Sequence, residues 1–151
     1  MTLLPEHGPC FVCGSDNHPH NVGLRWYAGP EGLISAEFTL DLKHQGPPGY
    51  AHGGASAAIL DEAMGVSVWT AGLRGVATNL NVNYKQPVPL STALKVLGRI
   101  TARGEKDIET SGEILLPDGT AAATATGVFR VAHHIFENSD LEARFNRQRG
   151  E

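Results

Sequence analysis

The sequence predicts an α+β fold in which a curved antiparallel sheet wraps around one long central helix. Two observations carry this expectation. The segment from about Gly54 to about Leu73 is rich in Ala, Ile, Leu, Met, Val and Trp, and from Ser56 to Leu73 its only ionisable side chains are Asp61 and Glu62. A helix that is apolar nearly all round belongs inside a fold. Most of the chain after it reads as strands joined by tight turns, so a sheet must supply the cover. That sheet covers one side of the helix, and a second copy of the chain is the natural cover for the other. A homo-oligomer, dimer or tetramer, is therefore expected.

Each element has a local signal. Residues 1–23 are rich in Pro, Gly, His and Asn and read as an irregular segment. Leu24-Arg25-Trp26-Tyr27 is a short strand candidate, and Gly29-Pro30-Glu31-Gly32 a turn. Ile34, Ala36, Phe38 and Leu40 alternate with Ser35, Glu37, Thr39 and Asp41, which is a strand with one buried face. Gly46-Pro47-Pro48-Gly49 excludes helix and central strand, so His44 to Tyr50 is a loop leading into His52. Gly72 and Gly75 flank the helix exit. Val76, Thr78, Leu80, Val82 and Tyr84 then alternate with Ala77, Asn79, Asn81, Asn83 and Lys85 until Pro87 and Pro89. Leu94 to Thr101, Ile108 to Leu116 and Thr120 to Val131 are three further strands, the last two joined by the hairpin signal Pro117-Asp118-Gly119. Ser139-Asp140-Leu141-Glu142 is a capping box before a short polar helix or frayed tail. The folded domain is expected over 24–133, with a polar C-terminal tail over 134–151.

With 151 residues the chain suits a single domain with its own core. The net charge is -4 and no basic run occurs, which argues against nucleic acid or an anionic membrane as partner. No charged n-region precedes an apolar stretch, and Asp61-Glu62 interrupts the longest apolar segment, so a soluble, cytoplasmic protein without a membrane span is expected. Cys10 and Cys13, followed by His18 and His20, make a Cys-x2-Cys-x4-His-x-His pattern. Zinc accepts such ligands, but the spacing matches no common finger. The expectation is a packed knuckle with both thiols reduced, no metal and no cofactor.

The chemistry concentrates around the helix. His52-Gly53-Gly54 runs directly into it. Backbone N–H groups at a helix start lack intrahelical acceptors and lie at the positive end of the dipole. A buried carboxylate is costly unless paired or protonated, so Asp61 marks a functional position. One element could thus hold an oxyanion-stabilising N–H and a general base. Glu62 lies roughly 100° further round and reads as a structural partner, for instance to a Lys or Arg across a subunit interface. Lys85 is a point charge that suits phosphate or solvent. Trp26 and Trp69 read as core, and His133-His134 as tail. Met64, Val68 and Trp69 bound the depth of any pocket.

Several stretches in this order resemble the hotdog-fold acyl-CoA thioesterases of the PaaI-like group. They are His52-Gly53-Gly54 with Asp61 nine residues after the His, the strand Asn79-Leu80-Asn81-Val82-Asn83-Tyr84-Lys85-Gln86-Pro87-Val88-Pro89-Leu90, and the hairpin Leu115-Leu116-Pro117-Asp118-Gly119-Thr120. Cys10-Phe11-Val12-Cys13-Gly14 resembles the opening of one branch of that group. The likeness spans roughly residues 10–131. It implies hydrolysis of an acyl-CoA thioester between two subunits, with Asp61 as general base or nucleophile, the Gly53 N–H polarising the carbonyl, and His52 as a third catalytic residue that shapes the turn and contacts the thioester region. Gly54 and Lys85 would contact substrate. Many relatives carry an Asn six residues before the His, where this chain has Gly46. Some carry a Thr sixteen residues after the Asp, where it has Ala77 followed by Thr78. Gln45 or Asn79 is the expected substitute for orienting water. Two other readings stay open: a hotdog enoyl-thioester hydratase or dehydratase using His52 and Asp61, and a non-enzymatic acyl-CoA-binding module.

Overall fold

The structure is a computed structural model and describes residues 1–6, 9–14, 21–139 and 142–143. Its elements are β1 (Thr2–Leu3), β2 (Tyr27–Ala28), β3 (Ile34–Phe38), α1 (Gly53–Thr70), β4 (Gly75–Tyr84), β5 (Leu94–Arg103), β6 (Asp107–Leu115), β7 (Ala121–Val131) and α2 (His133–Phe136). All seven strands form one antiparallel sheet in the order β1-β2-β3-β5-β6-β7-β4, with α1 as its one long helix. This is the expected architecture.

The sheet face of α1 carries Ser56, Ile59, Leu60, Ala63, Met64, Ser67 and Val68, all buried at spacings of three and four residues. They share one core with Ile34, Val96, Ile114, Ala123 and Phe129. Burying each large aliphatic side chain stabilises by roughly 1.5–3 kcal/mol. The Ser67 hydroxyl keeps its own bond by donating to the Met64 carbonyl at 2.6 Å. Gly98 and Gly112 pair across β5 and β6 directly beneath the helix. A Cβ at Gly98 would lie 2.5 Å from the Ala63 carbonyl oxygen, so bare backbone here lets the helix sink into the concave face. The β6–β7 hairpin turns through Gly119 at φ +87°, with Asp118 Oδ1 accepting from the Thr120 N–H at 2.8 Å.

Three features add to these expectations. The second face of α1 is not left wholly to another subunit. The Cys10 and Cys13 thiols reach Glu62, and Phe136 of α2 meets Trp69 edge-on at 4.9 Å. The N-terminal segment and α2 therefore cover part of that face. Next, the alternation along β4 does not mark a buried face. Among the described residues it ends the sheet and pairs only with β7, and of its residues only Gly75 is buried, while Leu80 is 40% and Tyr84 54% exposed. A bulge between Ala77 and Asn79 leaves Thr78 as the extra residue, its hydroxyl donating to the Val128 carbonyl at 3.2 Å. Finally, the first strand candidate shifts. Leu24 and Trp26 are buried core residues, and only Tyr27–Ala28 form a strand, to which Thr2–Leu3 adds from the segment read as irregular.

Candidate active site

The start of α1 is assembled from a loop folded back on itself. His44 accepts the His52 N–H at 2.7 Å, and Gln45 bridges to Ala51. Gly46 packs on His52 so closely that a Cβ would lie 2.8 Å from the His52 Cα. An Asn at this position, as in many relatives of the resembled group, has no room in this backbone. Gln45 Oε1 accepts the Gly49 N–H at 3.0 Å, so this oxygen is engaged in holding the loop.

His52 is the N-cap, with φ -59° and ψ 136°, and its Nδ1 accepts the Gly54 N–H at 2.9 Å. The Gly54 N–H is thereby engaged in the cap. Gly53 is the first helical residue, a position whose N–H has no intrahelical acceptor. Tyr84, which sequence reasoning missed, donates its hydroxyl to the Gly53 carbonyl at 2.6 Å and lies over the Gly53 Cα. Lys85 follows Tyr84 at the exposed end of β4.

Asp61 sits on the outer face of α1, half-buried. Burial, and next the neighbouring Glu62 carboxylate, holds its carboxyl above the usual carboxylate range. Asp61 and Glu62 line a cavity of about 310 Å³ with Trp69, Val76, Ala77, Phe129 and Phe136 among its walls. Trp69 is thus a wall rather than core, whereas Trp26, 4% exposed, is both. Behind Trp69 the Arg74 guanidinium stacks at 4.1 Å and forks onto Glu142 at 2.8 and 3.2 Å. The Ser139 hydroxyl accepts the Glu142 N–H at 3.1 Å, as the capping-box spacing predicts, while Asp140 and Leu141 lie outside the described residues. His133 and His134 open α2 and are exposed.

The Glu62 carboxylate accepts from the Cys13 thiol at 3.2 Å and from the Cys10 thiol at 3.5 Å. Within the chain both thiols are partners of Glu62. The hydrogen bond from Cys13 lowers the Cys10 thiol to about 7, and the same bond, followed by burial, pushes Cys13 far up. His18 and His20 lie outside the described residues.

The predicted site residues therefore fall into separate groups. Gln45, His52, Gly53, Gly54 and Lys85 gather at the start of α1. Asp61 and Glu62 gather at its middle, and Asn79 stands exposed on β4 beyond the bulge. Eight residues of helix separate Gly53 from Asp61 by about 12 Å, too far for both to touch one thioester carbonyl from a single chain. Both groups lie on the one helix, as expected, but at that distance from each other.

A sheet wrapped on one long helix, with a Gly-Gly helix start and a desolvated carboxylate two turns on, defines a hotdog-fold protein. Comparison with known proteins agrees. The thioesterase superfamily model matches residues 48–123, about half of the chain, and the chain belongs to that superfamily. It is 39% identical over 71 residues to acyl-coenzyme A thioesterase THEM4 of Rattus norvegicus, covering 47% of this chain and 30% of that protein. The chain spans well under half the length of the curated relatives it matches. Among solved structures, a thioesterase superfamily protein is 31% identical with a TM-score of 0.71, covering 74% of this chain and 60% of that one. The PaaI protein of E. coli has a TM-score of 0.68 at 18% identity, covering 74% and 80%. A Streptococcus mutans protein bound to acetyl CoA has a TM-score of 0.69 at 20% identity, covering 73% and 89%.

Proposed function

We propose that the protein is an acyl-CoA thioesterase whose active site forms between two copies of the chain. The observation that carries this reading is Asp61: a half-buried carboxylate, raised in pKa by burial, at the wall of an apolar cavity in a chain of the thioesterase superfamily. Once ionised it is a desolvated base able to take a proton from water attacking the thioester, or to attack directly as nucleophile. The Gly53 N–H of the other copy stabilises the oxyanion, an interaction worth about 3 kcal/mol in comparable acyl-transfer sites. His52 positions that N–H by capping the helix, and Tyr84 by holding the Gly53 carbonyl. Lys85 meets the CoA phosphates as a point charge, and the acyl group lies against Trp69, Phe129 and Phe136. Asn79, on the exposed strand, is the candidate to orient water.

Two features support a dimer. The outer edge of β4 offers ten residues of backbone with Leu80 and Tyr84 exposed, an edge that a second β4 completes. Two antiparallel α1 helices with their two-fold axis beside Ala57, midway between residues 53 and 61, set Gly53 of each opposite Asp61 of the other. Ala57 and Ala58 leave room for that approach. A bound acetyl CoA in a protein of the same fold supports this class of substrate.

The test is free-thiol release from acyl-CoAs of short, long and aryl-acetyl type, with wild type and Asp61→Asn compared. Turnover that collapses in the variant supports the proposal. Consumption of an enoyl-CoA without thiol release would make the protein a hydratase, and a ligand-dependent rise in Tm without any turnover would make it a binding module.

A further inference from the structure

The geometry points to a metal site in which Cys10, Cys13 and Glu62 together bind one zinc ion and clip the N-terminal segment onto the outer face of α1. The two Sγ atoms and a Glu62 carboxylate oxygen all lie within 4.8 Å of one another. Tetrahedral zinc, with Zn–S of about 2.3 Å and Zn–O of about 2.0–2.2 Å, holds neighbouring ligand atoms about 3.6–3.8 Å apart. The distances from Glu62 Oε1 to the Cys10 and Cys13 sulfurs are 3.5 and 3.2 Å, so an ion needs only small outward shifts.

The backbone already has the form of a metal-binding knuckle. The Val12 N–H points at the Cys10 sulfur at 3.4 Å. Gly14 turns the chain at φ +100° directly after Cys13. The buried Asn21 side chain donates to the Cys13 and Gly14 carbonyls at 3.3 and 3.4 Å, and Cys13 bridges to Leu24. The backbone that carries both cysteines is thus held in place by contacts of its own. Glu62 comes from the middle of a rigid helix, 49 and 52 residues away in sequence. Two thiolates and one carboxylate favour zinc over calcium or magnesium, which prefer all-oxygen shells. Among the described residues no fourth side chain joins the cluster, so water or a ligand outside them completes the shell.

The site does not rest on the hydrolase reading, because its ligands and its test are independent of thioester turnover. It adds a structural role for Glu62. The clip fixes the segment that carries Leu4 and Pro5, which form part of the cavity wall beside Asp61.

The experiment uses the untagged full chain, purified under reducing conditions, with metal content measured directly. Chelator-stripped protein is then titrated anaerobically with Co²⁺ as the spectroscopic probe. The expected result is one zinc per chain, and one Co²⁺ per chain with thiolate-to-cobalt charge transfer and tetrahedral d–d bands. Cys13→Ser should weaken uptake by about a hundredfold, and Glu62→Gln by about tenfold or more. Chelation should lower the Tm of wild type but not of Cys13→Ser. Wild-type protein that takes up neither metal, or that forms a Cys10–Cys13 disulfide in preference to binding, would overturn the site. Uptake unchanged by Glu62→Gln would overturn it as a three-ligand centre. Because the wild-type titration decides by itself, failure of a cysteine variant to fold does not rescue the idea.

Discussion

At the first turn of α1 the groups that matter are backbone. An N–H at Gly53 is aimed by the His52 cap and by the Tyr84 hydroxyl, in an exposed loop with little apolar cover. Two turns further on they are side chains. Asp61 and Glu62 are half-buried among Trp69, Phe136 and the cysteine knuckle. The difference follows from what each place must do. A fixed dipole for a developing oxyanion is best built from backbone, which needs no desolvation of a full charge. A base must be an ionisable group whose proton affinity is raised, and burial supplies that shift. One helix presents both, about 12 Å apart, and in the proposed reading a second copy of the chain closes the site.

The comparison breaks most sharply at the carboxylate. Asp61→Asn is nearly isosteric and removes the base, so thiol release should fall by about a thousandfold while the fold is kept, as read by kcat and circular dichroism. The helix start is probed by Gly53→Pro. Proline at the first helical position removes the N–H, tolerates the helix, and suits the extended backbone of His52 before it. Activity should drop by about a hundredfold or more, whereas Gly53→Ala, which keeps the N–H, should stay within about tenfold of wild type. Equal losses in the two variants would trace the effect to crowding against Tyr84 instead. A smaller effect is expected from Tyr84→Phe, which frees the Gly53 carbonyl: stability lower by about 1 kcal/mol in urea titration, and kcat lower by several-fold.

The smallest effect concerns pH. Asp61 is raised in the folded state by burial and by Glu62, the charged group that faces it on α1, so the folded chain binds this proton more tightly than the unfolded chain does. The ionised carboxylate therefore costs stability above its folded pKa, and the cost vanishes below its ordinary value of about 3.9. Asp61→Asn should melt a few degrees above wild type at pH 8, with the gap closing toward pH 4. Wild-type activity should fall over the same acid range, its midpoint above that of an ordinary carboxylate. A gap that widened in acid would reverse the assignment.

Local signals explain why so much of the architecture could be read in advance. The apolar run from Ser56, the alternation from Ile34, and Pro117-Asp118-Gly119 each fix an element through its immediate neighbours. Asp61 stood out because a charge in an apolar helix is costly wherever the chain folds. What escaped was set by contacts distant in sequence. Tyr84 meets Gly53 across 31 residues, Arg74 meets Glu142 across 68, and the thiols meet Glu62 across about 50. The edge position of β4 likewise depends on β7 pairing with it, although β4 carries the same alternation as an inner strand. The one signal that could have brought Glu62 to the cysteines was its likeness to Asp61: a second acidic group in an apolar helix, with Cys-x2-Cys as the ligand pair in search of a third.

In the proposed mechanism Gly53 and Asp61 serve one site from different copies of the chain. Mixing inactive Asp61→Asn and Gly53→Pro proteins under subunit exchange tests it directly. A heterodimer then holds one intact site, Gly53 from the first variant facing Asp61 from the second. Thiol release should recover to about a quarter of the wild-type rate on statistical mixing. A mixture that remains inactive after exchange is demonstrated would contradict the claim and return both residues to one chain or to structural roles.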